Sequence, residues 1–202
     1  MANQKISALT ALTGANVDAL ADVMPIVDTS AATTKKILVS ELTQAQFVLS
    51  TAQASTAGTA INFTGIQAWV KKITVQLIGV STNGTSAIIV QLGDSGGIET
   101  TGYLGAASSM DAIVTSNSFT TGISFVQASS ASNVIHGTMT LTLENASSFT
   151  WVGTAISAFS NTAAMTIGAG SKSTSAALDR IRITTVNGSD TFDAGEINIL
   201  ME

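Results

Sequence analysis

Gly93-Asp94-Ser95-Gly96-Gly97 is the one string in this sequence whose residue types and spacing suit covalent chemistry. Flanking glycines let backbone amides approach a developing oxyanion. A serine between them becomes a nucleophile once a histidine, held by a carboxylate, takes its proton. The only histidine, His136, comes after that serine, and none precedes Asp94. A general base needs a positioned partner and a route for the proton. His136 stands at a strand edge beside Gly137 with no partner adjacent in sequence, so it reads as a packed or surface residue. Asp190, Asp193 and Glu196, next to the Asn187-Gly188 turn, offer oxygen ligands for calcium. Their spacing is not that of an EF-hand loop, and calcium takes six to eight oxygens, so a solvated acidic hairpin is expected. Paired carboxylates of the glycosidase kind can come from any Asp and Glu once folded, so the sequence singles out no pair. Trp69, Trp151 and Tyr103 are the aromatic residues able to stack on a sugar. Trp69 reads as opening a strand, and Trp151, in Phe149-Thr150-Trp151-Val152, as packing in the core or against a subunit. No catalytic, cofactor-binding or metal-binding residue is assigned.

The Gly-Asp-Ser-Gly-Gly string resembles, letter for letter, the segment around the nucleophile of chymotrypsin-like serine proteases. In that family the histidine precedes the serine by much of the domain, and framework cysteines are common. Here the order is reversed and cysteine is absent. A Gly-rich loop between strands is therefore expected, since Gly, Asp and Ser are ordinary turn residues.

The chain that must position these residues has 202 of them, 8 Lys+Arg against 13 Asp+Glu, and a formal net charge of −5. Only 10% are charged while 45% are hydrophobic, against roughly 25% charged in an average soluble domain. Hydroxyls replace the missing charges, Ser and Thr being roughly a quarter of the chain. Such a composition can bury a core and is not that of a disordered acidic tail. The absence of cysteine excludes disulfide frameworks and Cys-ligated metals, and a single histidine excludes multi-His sites. No apolar run approaches a membrane span, and Met1-Ala2-Asn3-Gln4-Lys5 does not open a signal peptide. Basic residues are few and scattered, as Lys35-Lys36, Lys71-Lys72, Lys172 and Arg180/Arg182, which argues against nucleic acid.

Periodicity divides the chain near residue 50. Val17 to Val23 reads as a short helix stopped by Pro25, with Pro25 to Asp28 and Lys36 to Val39 as extended pieces. Ser40 suits the N-cap of a helix running through Glu41, Leu42, Ala45, Gln46 and Val48. Residues 50–58, a Thr/Ala/Ser/Gln run, read as a linker. Beyond it the period is that of strands. Val70 to Val80 places Ile73, Val75 and Leu77 on one face, and Ala87 to Leu92 is a short apolar run. Phe119 to Val126 is a weaker strand broken by Gly122. Thr138 to Leu143 turns Met139, Leu141 and Leu143 inward, and Arg180 to Val186 and Ile197/Ile199 close the series. Asn83-Gly84 and Asn187-Gly188 supply tight turns. The expected fold is all-β: a jelly-roll-like β-sandwich over 59–202, preceded by a small mixed α/β N-terminal arm over 1–49 and the 50–58 linker.

Two stretches resemble proteins of tailed-bacteriophage virions. The first is Lys5-Ile6-Ser7-Ala8-Leu9-Thr10-Ala11-Leu12-Thr13-Gly14-Ala15-Asn16 with Met24-Pro25-Ile26-Val27-Asp28 and Thr34-Lys35-Lys36-Ile37, which is similar to an N-terminal module of such proteins. The second is carried by Ile61 to Ile66, Val80 to Ser86, Val90 to Tyr103, Leu178 to Arg182 and Thr185 to Gly195, and looks like a β-rich module found in the same setting. Residues 104–177 fall in the variable middle. Family members are tail fibre, head fibre or general structural proteins, and the resemblance carries no catalytic residue.

The resemblance implies a virion protein without enzymatic activity. The lack of a signal peptide suits synthesis in the host cytoplasm. The scattered basic residues and short apolar runs lead to the expectation of no nucleic-acid partner and no membrane insertion, with no cofactor expected either. Short length and low charge favour a capsid decoration or cement protein. It would be a homo-oligomer, a trimer, bound to the major capsid protein lattice, with the arm anchoring and the sandwich displayed. The alternative is a tail or head fibre meeting a host-surface glycan through Trp69, Tyr103 or the 104–150 region. A glycan depolymerase is a third reading without a defined site.

Overall fold

The computed structural model describes residues 23–28, 33–38 and 47–202, and the chain divides into two compact units at Phe47/Val48. In the first unit, β1 (Val23–Asp28) and β2 (Thr33–Leu38) form an antiparallel hairpin, with Val23 opposite Leu38 and Asp28 opposite Thr33. The extended piece expected over Pro25 to Asp28 lies in this hairpin, as do Lys36 to Leu38 of the second, whose last residue, Val39, is outside the described residues. The expected helices at 17–23 and 40–48 fall largely outside the described residues. Their last residues are corrected, however, because Val23 opens β1 and Val48 opens β3 (Val48–Leu49). Branched Val suits an extended backbone better than a helix end.

The second unit is all-β and antiparallel, with no helix among the described residues. Its strands are β3, β4 (Gln53–Ala54), β5 (Ala60–Thr64), β6 (Lys72–Thr82), β7 (Ile88–Asp94), β8 (Gly97–Ile98) and β9 (Leu104–Met110). They continue as β10 (Thr115–Phe119), β11 (Ile123–Ser124), β12 (Ile135–Asn145), β13 (Thr150–Phe159), β14 (Ala164–Ser173), β15 (Arg180–Thr185) and β16 (Phe192–Met201). The large sheet runs β10-β9-β14-β13-β12-β6-β16-β3, with β4 also on β16. The small sheet runs β11-β7-β15-β5, with β8 on β7.

Alternation explains the inward faces. Ile73, Val75 and Leu77 of β6, Met139 and Leu141 of β12, Ile181 and Ile183 of β15, and Ile197 and Ile199 of β16 are all buried. With Ile88, Ile89, Val90 and Leu92 of β7 they form one cluster fed by both sheets. Each large side chain so buried contributes about 1.5–3 kcal/mol. Every residue of β7 is buried, which is why its sequence is a continuous run rather than an alternation.

Three expectations need correction. Residues 50–58 are not a bare linker: β4 pairs with β16, the Ser50 and Ser55 amides donate to the Ile199 and Gly195 carbonyls, and Ser55 is fully buried. Backbone pairing makes no demand for apolar side chains, so composition alone hid it. The weak strand expected over 119–126 does break at Gly122, but its halves are the end of β10 and the short β11, which belong to different sheets. Trp69 does not open a strand, because it lies in a turn and β6 begins at Lys72.

Candidate functional site

The Gly-Asp-Ser-Gly-Gly string is the turn between β7 and β8, on the small sheet, whereas His136 belongs to β12 of the large sheet. The residue that does structural work there is Asp94, which is buried, while Ser95 is exposed. Asp94 Oδ1 accepts from the Gly96 amide at 2.8 Å and Oδ2 accepts from Ser175 Oγ at 2.7 Å. Gly93 has no room for a side chain, since a Cβ would stand 2.3 Å from the Gly97 carbonyl oxygen. The glycines thus let two strands meet at a tight turn instead of opening an oxyanion hole. Ser95→Ala is accordingly expected to change stability by less than about 0.5 kcal/mol. Asp94→Ala, which frees the Gly96 amide and Ser175 hydroxyl, should lower the thermal midpoint clearly. Equal midpoints for the two variants would contradict this reading of the loop.

Around Asp94 lies a network that joins the β7–β8 turn to the segment after β14. Ser175 Oγ also meets Glu99 Oε1 at 2.8 Å, and the Ser175 amide donates to the same oxygen at 2.6 Å. Lys172 pairs with Glu99 and stands 5.7 Å from the centre of the Tyr103 ring. The Tyr103 hydroxyl accepts from the Leu92 amide at 2.6 Å and donates to the Glu99 carbonyl at 2.9 Å. Tyr103 is only 1% exposed, so its place in the expected glycan contact is corrected: it ties strands together from inside. Trp151 is buried as well, as its core reading expected. Trp69, 39% exposed, is the one of the three with ring surface in solvent.

His136 is exposed, and its Nδ1 accepts from the Gly79 amide at 3.3 Å, an amide set loose where β6 bulges against β12 between Ile135 and Gly137. Asp190 is satisfied by donors rather than placed among other carboxylates. Its Oδ1 accepts from Asn187 Nδ2 at 2.6 Å and its Oδ2 from the Ser86 amide at 2.9 Å. Asn187 Oδ1 in turn accepts from Thr185 Oγ1 and from the Ser189 and Asp190 amides. Asp193 and Glu196 do not join it, and no group of three metal-ligating side chains occurs among the described residues. The acidic hairpin is a hydrogen-bonded clasp between the β6–β7 and β15–β16 turns.

These contacts set a common sign for the carboxyls. Ser175 and the Gly96 amide hold Asp94 below the usual carboxylate range, as Arg180 does Asp179 and Asn187 does Asp190. Burial pushes Glu99 up, but Lys172 and Ser175 together bring it below its ordinary value. All four bind protons more weakly folded than unfolded. Stability from them is therefore complete above about pH 5 and drains away as pH falls through and below about 4. The thermal midpoint should be level on the neutral side and fall progressively in acid. A midpoint unchanged down to about pH 2 would contradict the network.

On the outer side of the small sheet, Gln91, Thr100, Thr121, Arg182, Thr184 and Asn187 line an open groove of about 410 Å³. Arg182 Nε there donates to Asn62 Oδ1 at 3.1 Å. Hydroxyls, amides and a guanidinium together offer donors and acceptors that can bind a polar ligand. No family model matches the chain, and no curated protein matches it.

Proposed function

We propose that this chain is a structural protein of a bacteriophage virion, a decoration or cement subunit that binds the assembled capsid shell and displays a jelly-roll-like sandwich outward. The observation that carries the fold half of this reading is strand order. In a jelly roll, eight successive strands alternate between two sheets except for one hairpin, and the sheets take the orders 1-8-3-6 and 2-7-4-5. The small sheet, β5-β15-β7-β11, has the first order. The large sheet has the second as β6, then the β12-β13-β14 meander in place of a single seventh strand, then β9 and β10. A three-strand meander preserves strand direction because its number is odd, and β16 adds one strand beyond β6.

Jelly rolls serve capsids, lectins and cupins, so fold alone does not decide function. A cupin metal site needs several histidines, and this chain has one. Between the remaining two, the resemblance of the stretches within 5–37, 61–103 and 178–195 to virion modules favours a virion protein without choosing its position, and short length favours the shell over a fibre. A surface poor in charge suits contacts repeated many times over a lattice. The mechanism is mass action: a subunit that binds only the assembled lattice adds its binding free energy to that lattice. Residues 1–49 would be the anchor, and no enzymatic step is involved. Purified chain added to shells that lack it should bind to saturation and raise their resistance to heat. Shells whose melting is unchanged at saturation would contradict the cement role.

The second reading is a head or tail fibre that binds host-surface glycan, and the groove around Arg182 is the feature that favours it. Arg182→Ala together with Gln91→Ala should then abolish binding of isolated host polysaccharide. Binding that survives both changes would remove the groove from consideration.

A further inference from the structure

The outer face of the large sheet inverts the usual pattern of a half-solvated sheet. Between Trp151 and Phe159, which are buried at the two ends of β13, the inward positions of β13 and β14 are small or polar, as at Gly153, Ala155, Ser157, Thr166 and Gly168, while large apolar side chains point out. The exposed set is Leu104, Met110, Val152, Ile156, Met165 and Ile167, between 41% and 73% exposed. Strand register gathers them on one surface: Met110 is opposite Met165, Ile156 opposite Ile167, and both Leu104 and Val152 are opposite Ser171. Water on such a face costs free energy that a covering surface would recover.

We infer that this face is where copies of this chain pack against one another. The inference deepens the virion reading and rests on its expectation of a homo-oligomer. Charge selects the occupant. From the row Leu104–Ser171–Val152–Thr142 to the row Met110–Met165–Ala158–His136, no Asp, Glu, Lys or Arg is present. Charged residues begin at the margins, with Asp111 after β9, Glu144 at the end of β12 and Lys72 on β6. An apolar centre inside a charged rim is the anatomy of a protein interface. Two copies each carrying −5 meet with least repulsion through a face that holds no acid. A partner of opposite charge finds nothing on it to pair with.

Relief and area agree with a second copy. Ala106 and Ala169, opposite each other, floor a groove of about 200 Å³ between β9 and β14, beside the taller Ile167. One face thus carries both hollow and knob, as self-association of like surfaces requires. With Ile113 and Val114 at the adjoining turn, the exposed apolar residues offer on the order of 800 Å², the contribution of one partner to a standard interface.

The test compares the full chain with Ile156→Lys and Ile167→Asp by sedimentation velocity, with circular dichroism to confirm folding. Both positions are about half exposed, so neither change buries a charge in the core. The wild-type chain is expected to be an oligomer that high salt does not weaken. Each folded variant should lose at least about tenfold in association, which corresponds to about 1.4 kcal/mol. Variants that remain as associated as wild type would overturn the assignment of this face. A wild-type monomer would overturn it too. If that monomer still bound shells, the virion reading would stand without the interface. If Ile156→Lys abolished its shell binding, the face would belong to the lattice contact instead. Conversely, an oligomer dissociated by both changes but without affinity for any shell would support the interface and overturn the virion reading.

Discussion

Gly195→Ala is expected to be among the most damaging single changes in the chain, costing about 3–5 kcal/mol. Gly195 has φ +93°, and a Cβ there would stand 2.5 Å from both the C and O atoms of Gly79 and 2.6 Å from the Val80 amide nitrogen. All of these are backbone atoms, so no side chain can turn aside. The site is the irregularity where β16 shifts register against β6 between Ala194 and Glu196. It is also where β6 bulges against β12, with Gly79 held by His136. Strain at Gly195 is therefore transmitted to β6, the strand that joins β12 to β16 in the large sheet. Chemical denaturation of wild type and Gly195→Ala measures the effect directly. A loss below about 1 kcal/mol would mean that the bulge is pliable and that the Gly79 backbone moves aside, contradicting the strain argued for Gly195.

Truncation gives the second large effect, because the position of the cut matters more than the number of residues removed. Deletion of residues 1–47 removes the first unit alone and should leave the remaining unit with nearly unchanged stability. Deletion of residues 1–58 also removes β3, β4 and Ser55. It breaks the Ser50 and Ser55 amide bonds to Ile199 and Gly195, the bond from Ser55 Oγ to the Ala194 carbonyl, and the Ser50–Asn198 pair. Net values of about 0.5–1.5 kcal/mol per bond put the cost near 3–5 kcal/mol. The cut also leaves β16 as an unpaired edge, so aggregation on warming is expected with it. Under the virion reading the shorter deletion should stay folded yet fail to incorporate into particles. If the 1–47 deletion unfolds the remainder, the division at Phe47/Val48 is wrong.

Legibility in the sequence followed the chemistry of each sheet face. β6, β12, β15 and β16 announce themselves because Ile, Val, Leu or Met alternates with Thr, Arg or Asn, one set buried and the other in water. β13, β14 and β9 do not. Their inward positions face residues that leave little room: a Cβ on Gly168 would lie 2.3 Å from the Ser124 carbonyl oxygen, and one on Gly153 would lie 2.8 Å from Leu141 Cδ2. Small residues inside and Ile, Met and Val outside erase the amphipathic signal that period-2 reading needs. The same inversion marks the face assigned above to self-association, so one physical cause hid the strands and exposed the surface.

The candidate site was legible mainly as an absence. Reading the β7–β8 loop for chemistry drew attention to Ser95, whereas the structural part belongs to Asp94. An Asp two residues before a glycine is an ordinary turn-capping signal, and it points to Asp94 without any structure. Tyr103 gave no such sign, because nothing in its neighbourhood in sequence foretells a hydroxyl placed between the Leu92 amide and the Glu99 carbonyl. The bonds from Asp190 to Ser86 and from Ser175 to Asp94 likewise join residues far apart in the chain. Contacts of that kind come from topology, which the run of residue types does not encode locally.

The central claim, a subunit spread over the capsid lattice, is tested most directly by the number of copies of this chain per purified particle, measured against the major capsid protein. The account predicts a simple ratio to the major capsid protein, with copies on the order of hundreds per shell. A few dozen copies or fewer would contradict it, placing the protein at a vertex, tail or fibre and making the groove around Arg182 the first surface to test.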